Sequence, residues 1–276
     1  MAHEFDARSS TAPSEASFLR RTAWMLSFGV VGLAGVAVTV VLQLSLTPSV
    51  ASRSGLPADA SLPVAVASAV AMPAVLVVVA TAIGTATAPR VGFRSFLHEH
   101  VTDGRPVWTQ VRESAPRAVV VGLATGAGIV ALDAVLLRVV PAASPTASAP
   151  QSIALVLASA PARFLFGGVA EELMLRWGLV SALAWALAAI VPGDRERAVA
   201  WAAVVLAAAA FGAAHLPQAA ASMELTLPVV ARVVALNAIA GVVFGWLYVE
   251  DALEAAMLAH ASAHVVLIST ALLGVA

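Results

Sequence analysis

The sequence predicts an all-α, polytopic integral membrane protein, a helical bundle of seven or eight transmembrane helices. Three observations carry that reading. Of the 276 residues, 61% are hydrophobic and only 11% are charged, about half the charge of a soluble domain. Uncharged apolar runs recur along the whole chain, and about 20 such residues suffice to cross a bilayer. Short segments rich in Pro, Gly, Ser and charge separate them. The 15 basic and 16 acidic residues nearly cancel, so no net field draws in nucleic acid. The surrounding partner is membrane lipid.

Residues 1–21 read as a disordered cytoplasmic tail, with Arg20 and Arg21 just ahead of the first span. Thr22–Leu46 is that span, too long and too poorly terminated for a cleaved signal peptide. Leu62–Ala88 is the second, with Pro73 as its expected kink. Residues 89–116 form an Arg-rich polar loop holding Arg90, Arg94, Arg105 and Arg112, and Ala118–Val140 is the third span. Together 22–149 make an amino-terminal set of helices, and 150–276 the core where chemistry is expected.

From Ile153 to Ile190 the chain is apolar apart from a central charged cluster. One straight helix of that length would measure about 57 Å against a hydrocarbon core of about 30 Å. It must bend, tilt or split, which is why the count stands at seven or eight. Ala198–His215, Leu227–Val249 and Leu253–Leu273 complete the spans. Arginines gather in the tail and in the 89–116 loop, so the positive-inside rule places both in the cytoplasm. All fifteen basic residues are Arg. With the heavy use of Ala, Gly, Val and Pro, this points to a high-GC coding bias and a bacterial inner (cytoplasmic) membrane. The absence of Cys and Lys excludes disulfides, thiolate chemistry, Schiff bases and a P-loop lysine.

An ionisable group at membrane depth costs about 2.5–3.5 kcal/mol on insertion scales, so each one asks for a reason. The first three spans hold only Asp133 away from their ends, whereas the last part holds Arg163, Glu171, Glu172, Arg176, His215, Arg232, His260 and His264. Within E-E-L-M-L-R, Glu172 and Arg176 stand at i and i+4, in the favourable order for an ion pair. Glu171 then points about 100° away and is left free as a proton acceptor. The alternative for this cluster is an interfacial helix end. F-G-A-A-H ends a span at His215, where a packing histidine is the simpler reading. H-A-S-A-H sets His260 and His264 one turn apart on one face. That pair can bind a metal, but it is not the zincin pattern H-E-x-x-H, so any carboxylate must come from elsewhere. Gly241 and Gly245 form a G-x-x-x-G step for close helix approach, with Asn237 expected to bond across it. Gly167, Gly168, Ala213, Ala214, Ala259, Ala261 and Ala263 would admit further close contacts. Arg163 and Arg232 are expected to be interfacial or to pair with carboxylates such as Asp133.

Taken in order, E-E-x-x-x-R, F-x-x-x-H, G-x-x-x-G and H-x-x-x-H over residues 171–264 resemble the CAAX protease and bacteriocin-processing (Abi, or CPBP) intramembrane proteases. These include the type II CAAX prenyl endopeptidases. The resemblance implies an endopeptidase acting on a peptide or membrane-protein substrate. It implies that Glu171 and His215 activate water, and that Glu172 and Arg176 are a substrate-positioning or structural pair. His260 falls where the family stabilises the oxyanion. Position 264 is His where the family usually has Asn; an imidazole can still donate to an oxyanion. The glutamate–histidine mechanism requires no cofactor. The added imidazole also makes a divalent metal such as zinc conceivable, with Glu171, His215, His260 and His264 as ligands. The competing class is a non-catalytic membrane protein, a proton-coupled transporter or an immunity or scaffolding factor. Against a transporter, no inverted repeat is visible.

Overall fold

The computed structural model describes residues 15–46, 61–139, 152–191 and 195–274. The tail up to residue 14, the loop with Arg53, the Pro141–Pro150 linker and most of the loop before α6 lie outside the described residues. Among the described residues there is no strand, and seven helices are long and apolar enough to cross a membrane. The helices are α1 (Glu15–Leu46), α2 (Leu62–Thr87), the short α3 (Phe96–Asp103), α4 (Val107–Val139) and α5 (Ile153–Ile190). There follow α6 (Glu196–Ala214), the one-turn α7 (Leu216–Ala220), α8 (Leu227–Glu250) and α9 (Leu253–Leu272).

Three stretches differ from the sequence reading. The first helix starts at Glu15, so Glu15–Arg21 is helical and not part of a disordered tail. The third span begins at Val107 and runs through Pro116, so the polar loop ends well before Pro116. The proline sits near the polar end of the helix, where water can satisfy the carbonyl it leaves without a donor. The Ile153–Ile190 segment does not split. Its middle, Ala162–Glu171 and Leu173–Val180, is wound as π-helix between α-helical ends. Wider turns place more residues in each unit of length, and the span shortens without breaking. π turns are rare and gather at functional sites; this stretch carries Glu171, Glu172 and Arg176. Where the widening starts, Pro161 has no N–H to donate, and Ala162 gives its own to Thr39 Oγ1 of α1 at 2.9 Å.

Small residues set the packing. A Cβ on Gly241 would lie 2.9 Å from Ala208 Cα, and one on Gly245 would lie 2.6 Å from Val204 Cγ1. The G-x-x-x-G step is therefore where α8 meets α6. Gly168 meets Ala261 in the same way, and Gly122 of α4 would collide with the backbone of Ala259. α9 is thus wedged between α4, α5 and α8. Asn237 does not bond across the step: its Nδ2 donates to Val233 O of its own helix. Ala213 and Ala214 face outwards and join no contact of this kind. The shared core holds Trp177, Phe244, Leu247, Tyr248 and Leu253, all fully buried, while Met72 and Val75 of α2 point outwards, as side chains solvated by lipid do.

The insert between α2 and α4 is tied to the start of α9. Glu254, buried in the first turn of α9, accepts from Ser95 Oγ at 2.8 Å and from the backbone N–H of Phe96 and Leu97 at 2.9 Å. The carboxylate thereby caps the positive end of α3. Leu253 N–H donates to Arg94 O at 3.0 Å. On the outer side of the insert, Glu99 accepts from Arg94 at 2.6 Å and from Arg105 at 3.0 Å, and the Arg94 bond holds its carboxyl below the usual range. His98 is buried against Trp177; burial first, and then the charge of Arg21, push its imidazole below the ordinary value.

Candidate active site

Three segments supply the site: the π-wound part of α5, the carboxyl end of α6 with His215, and α9. Glu172 and Arg176 are 0% and 2% exposed and pair at 2.9 Å through Oε1 and Nη1. This is the i, i+4 pair the sequence predicts. Arg176 is also held by its surroundings: Nη2 donates to Gly241 O at 3.0 Å, and its guanidinium lies over the rings of Phe211 and Phe244 at 5.4 and 5.7 Å. The step that brings α8 close thereby also offers a backbone acceptor to the buried cation.

The same carboxylate has a second partner that spacing along the chain does not reveal. His260 Nδ1 lies 2.7 Å from Glu172 Oε1. A carboxylate only accepts, so the imidazole donates through Nδ1, and in its neutral form Nε2 keeps the lone pair. Glu172 thus ties α5 to α9 and sets the orientation of the ring. His260 stacks on Phe244 at 4.7 Å on one side and on His264 at 4.9 Å on the other. The H-x-x-x-H pair therefore forms a stack of parallel rings. Phe211 meets His215 edge-on at 4.6 Å and His260 at 6.0 Å.

His215 closes α6 and turns its Nδ1 towards Phe211 O at 2.9 Å. A carbonyl can only accept, so Nδ1 carries the hydrogen and Nε2 presents a lone pair. Glu171, next to the buried pair, is half-buried and makes no hydrogen bond or ion pair among the described residues. It lies within electrostatic reach of His260 and Arg176, and His215 within reach of His260 and His264. Three buried polar atoms of the site make no hydrogen bond: Glu172 Oε2, His264 Nδ1 and Arg176 Nη1, the last engaged only by its ion pair with Glu172 Oε1. An unsatisfied buried group costs about 1–3 kcal/mol, and such groups cluster where a ligand or water completes the set.

The structure brings all six site residues of the sequence reading to one place. Phe244 and the Gly241 carbonyl were missed as functional elements. Phe244 stands one helical turn from Gly241 on the same face, the signal that could have found it. The possible zinc ligands are neighbours, but among the described residues no three His, Asp or Glu side chains converge closely enough to hold one ion. His215 and His260 each commit Nδ1 to another acceptor.

No curated protein and no solved structure matches the chain. Residues 152–266 match the family model described as type II CAAX prenyl endopeptidase Rce1-like. The match starts at the head of α5 and ends just past His264, so it contains every residue of the site. Over these residues, less than half of the chain, the match supports an assignment to the CAAX protease (CPBP) family.

Proposed function

We propose that the protein is an intramembrane endopeptidase whose water is activated by Glu171 and His215. The observation that carries the reading is the unequal state of two adjacent carboxylates: Glu172 is sealed between Arg176 and His260, and Glu171 is accessible with no partner among the described residues. A general base needs a free lone pair within reach of water, and Glu171 has one. His215, with Nδ1 held by Phe211 O, offers Nε2 as a second acceptor for the same water. Attack by the water oxygen on the peptide carbonyl moves one proton to Glu171, which can return it to the departing amine. The tetrahedral oxyanion needs donors, and His264 has an unspent Nδ1, while the neutral His260 ring spends its one N–H on Glu172 and supports the His264 ring from beneath. Glu172 and Arg176 position His260 and touch no substrate. In this reading the arginine distribution favours a cytoplasmic amino terminus and insert.

The test is cleavage of a peptide library by purified protein, with products read by mass spectrometry. Glu171→Gln should lower turnover by about 10²–10⁴-fold, the worth of a general base, and His215→Ala should lower it as well. Wild-type turnover in Glu171→Gln would remove this residue from the mechanism.

A further inference from the structure

Arginines at membrane depth need a counter-charge or a satisfied set of acceptors. Arg176 faces Glu172. Arg232 of α8 faces Asp133 of α4 through two bonds of 2.6 and 2.7 Å. Arg163, ten residues into α5, faces no carboxylate among the described residues. Its Nε donates to Ser159 Oγ at 3.1 Å, which uses one of the five donors of a guanidinium. The side chain is half-buried, so the remaining donors are not sealed in the core.

Arg163 lies beside the catalytic residues proposed above. A Cβ on Gly167 would touch His264 Nε2 at 2.8 Å, so that face of α5 is the one His264 rests on. Arg163 and Glu171 stand four residues before and four residues after Gly167, next to it on the helix surface. Arg163 is within electrostatic reach of His264, just as Glu171 is of His260. The unpaired cation and the accessible carboxylate thus stand on either side of the point where His264 meets α5.

We propose that Arg163 is a specificity-determining residue that binds a carboxylate of the substrate. The inference rests on the peptidase reading above and narrows it to peptides carrying a negative charge near the cleaved bond. A guanidinium with free donors in a low-dielectric setting fits a planar carboxylate with two parallel bonds. A peptide has two sources of that group, its free carboxyl terminus and its Asp or Glu side chains.

The experiment compares kcat/KM for pairs of peptides that differ only in charge. One pair ends in a carboxylate or a carboxamide; the other carries Asp or Asn beside the cleaved bond. With the wild-type protein, neutralising the recognised carboxylate should cost about 10–100-fold, the range for a hydrogen bond to a charged group. In Arg163→Gln the charged and neutral peptides of that pair should be cleaved equally, at the wild-type rate for the neutral one. The affected pair identifies the source. Equal wild-type rates within both pairs would overturn the role of Arg163 and leave the peptidase reading standing, as would undiminished discrimination in Arg163→Gln. No cleavage of any peptide by wild-type protein would overturn both.

Discussion

Two ion pairs cross the interior of this bundle and differ in what they leave over. Asp133 and Arg232 join α4 to α8 through a two-bond fork in which each oxygen has its own donor. Their side chains are 30% and 13% exposed. Glu172 and Arg176 sit on one helix, are sealed from solvent, and share one carboxylate oxygen between Arg176 and His260 while the other has no hydrogen-bond partner. The first pair is complete in itself and bolts two helices together. The second is part of a larger set and holds an imidazole for something else. Charge in the membrane is costly in both places, yet only the second arrangement surrounds groups that can act on a substrate.

The contrast can be broken experimentally. The largest stability effect should come from Arg176→Met, which leaves Glu172 buried beside His260 with no cation. A broken buried pair costs about 3–5 kcal/mol, read as a fall in the unfolding midpoint, and cleavage should fall with it because His260 loses its fixed support. Asp133→Asn should cost less, about 1–2 kcal/mol, since the pair is partly exposed. Its kcat/KM should stay near the wild-type value when assayed well below the midpoint. A large loss of turnover in Asp133→Asn at unchanged stability would erase the distinction between the pairs.

The smallest effect concerns pH at the insert. Burial lowers the folded pKa of His98 below its ordinary 6.5. The unfolded chain therefore binds this proton first as pH falls, and stability drops from about pH 6.5 downwards. Glu99, held low chiefly by its bond from Arg94, contributes stability above its ordinary value of 4.5 that is lost at more acidic pH. His98→Phe should flatten the unfolding midpoint between pH 7 and 5 while leaving the more acidic loss in place.

Much of the architecture was legible because lipid imposes a local code. Apolar run length marks the spans, and the Glu172–Arg176 pair is a neighbour relation on one helix. What stayed hidden is non-local. The bond from His260 to Glu172 joins residues 88 apart in sequence. Nothing in the local sequence marks Glu254 as the cap of a helix that starts 158 residues earlier; only the packing of α3 against α9 reveals it. The π winding of α5 has no pattern in composition; it leaves the run apolar and changes only how many residues fit each turn. Asn237 misled for the opposite reason, since a polar side chain in a helix can satisfy itself on the preceding turn.

The most direct test of the account treats Glu171 and Glu172 as a matched pair of single substitutions to Gln, measured for both peptide hydrolysis and unfolding midpoint. Glu171→Gln should keep the stability within about 0.5 kcal/mol of wild type and lose turnover, whereas Glu172→Gln should lower the midpoint markedly. Equal destabilisation by the two substitutions, or wild-type hydrolysis by Glu171→Gln, would contradict it.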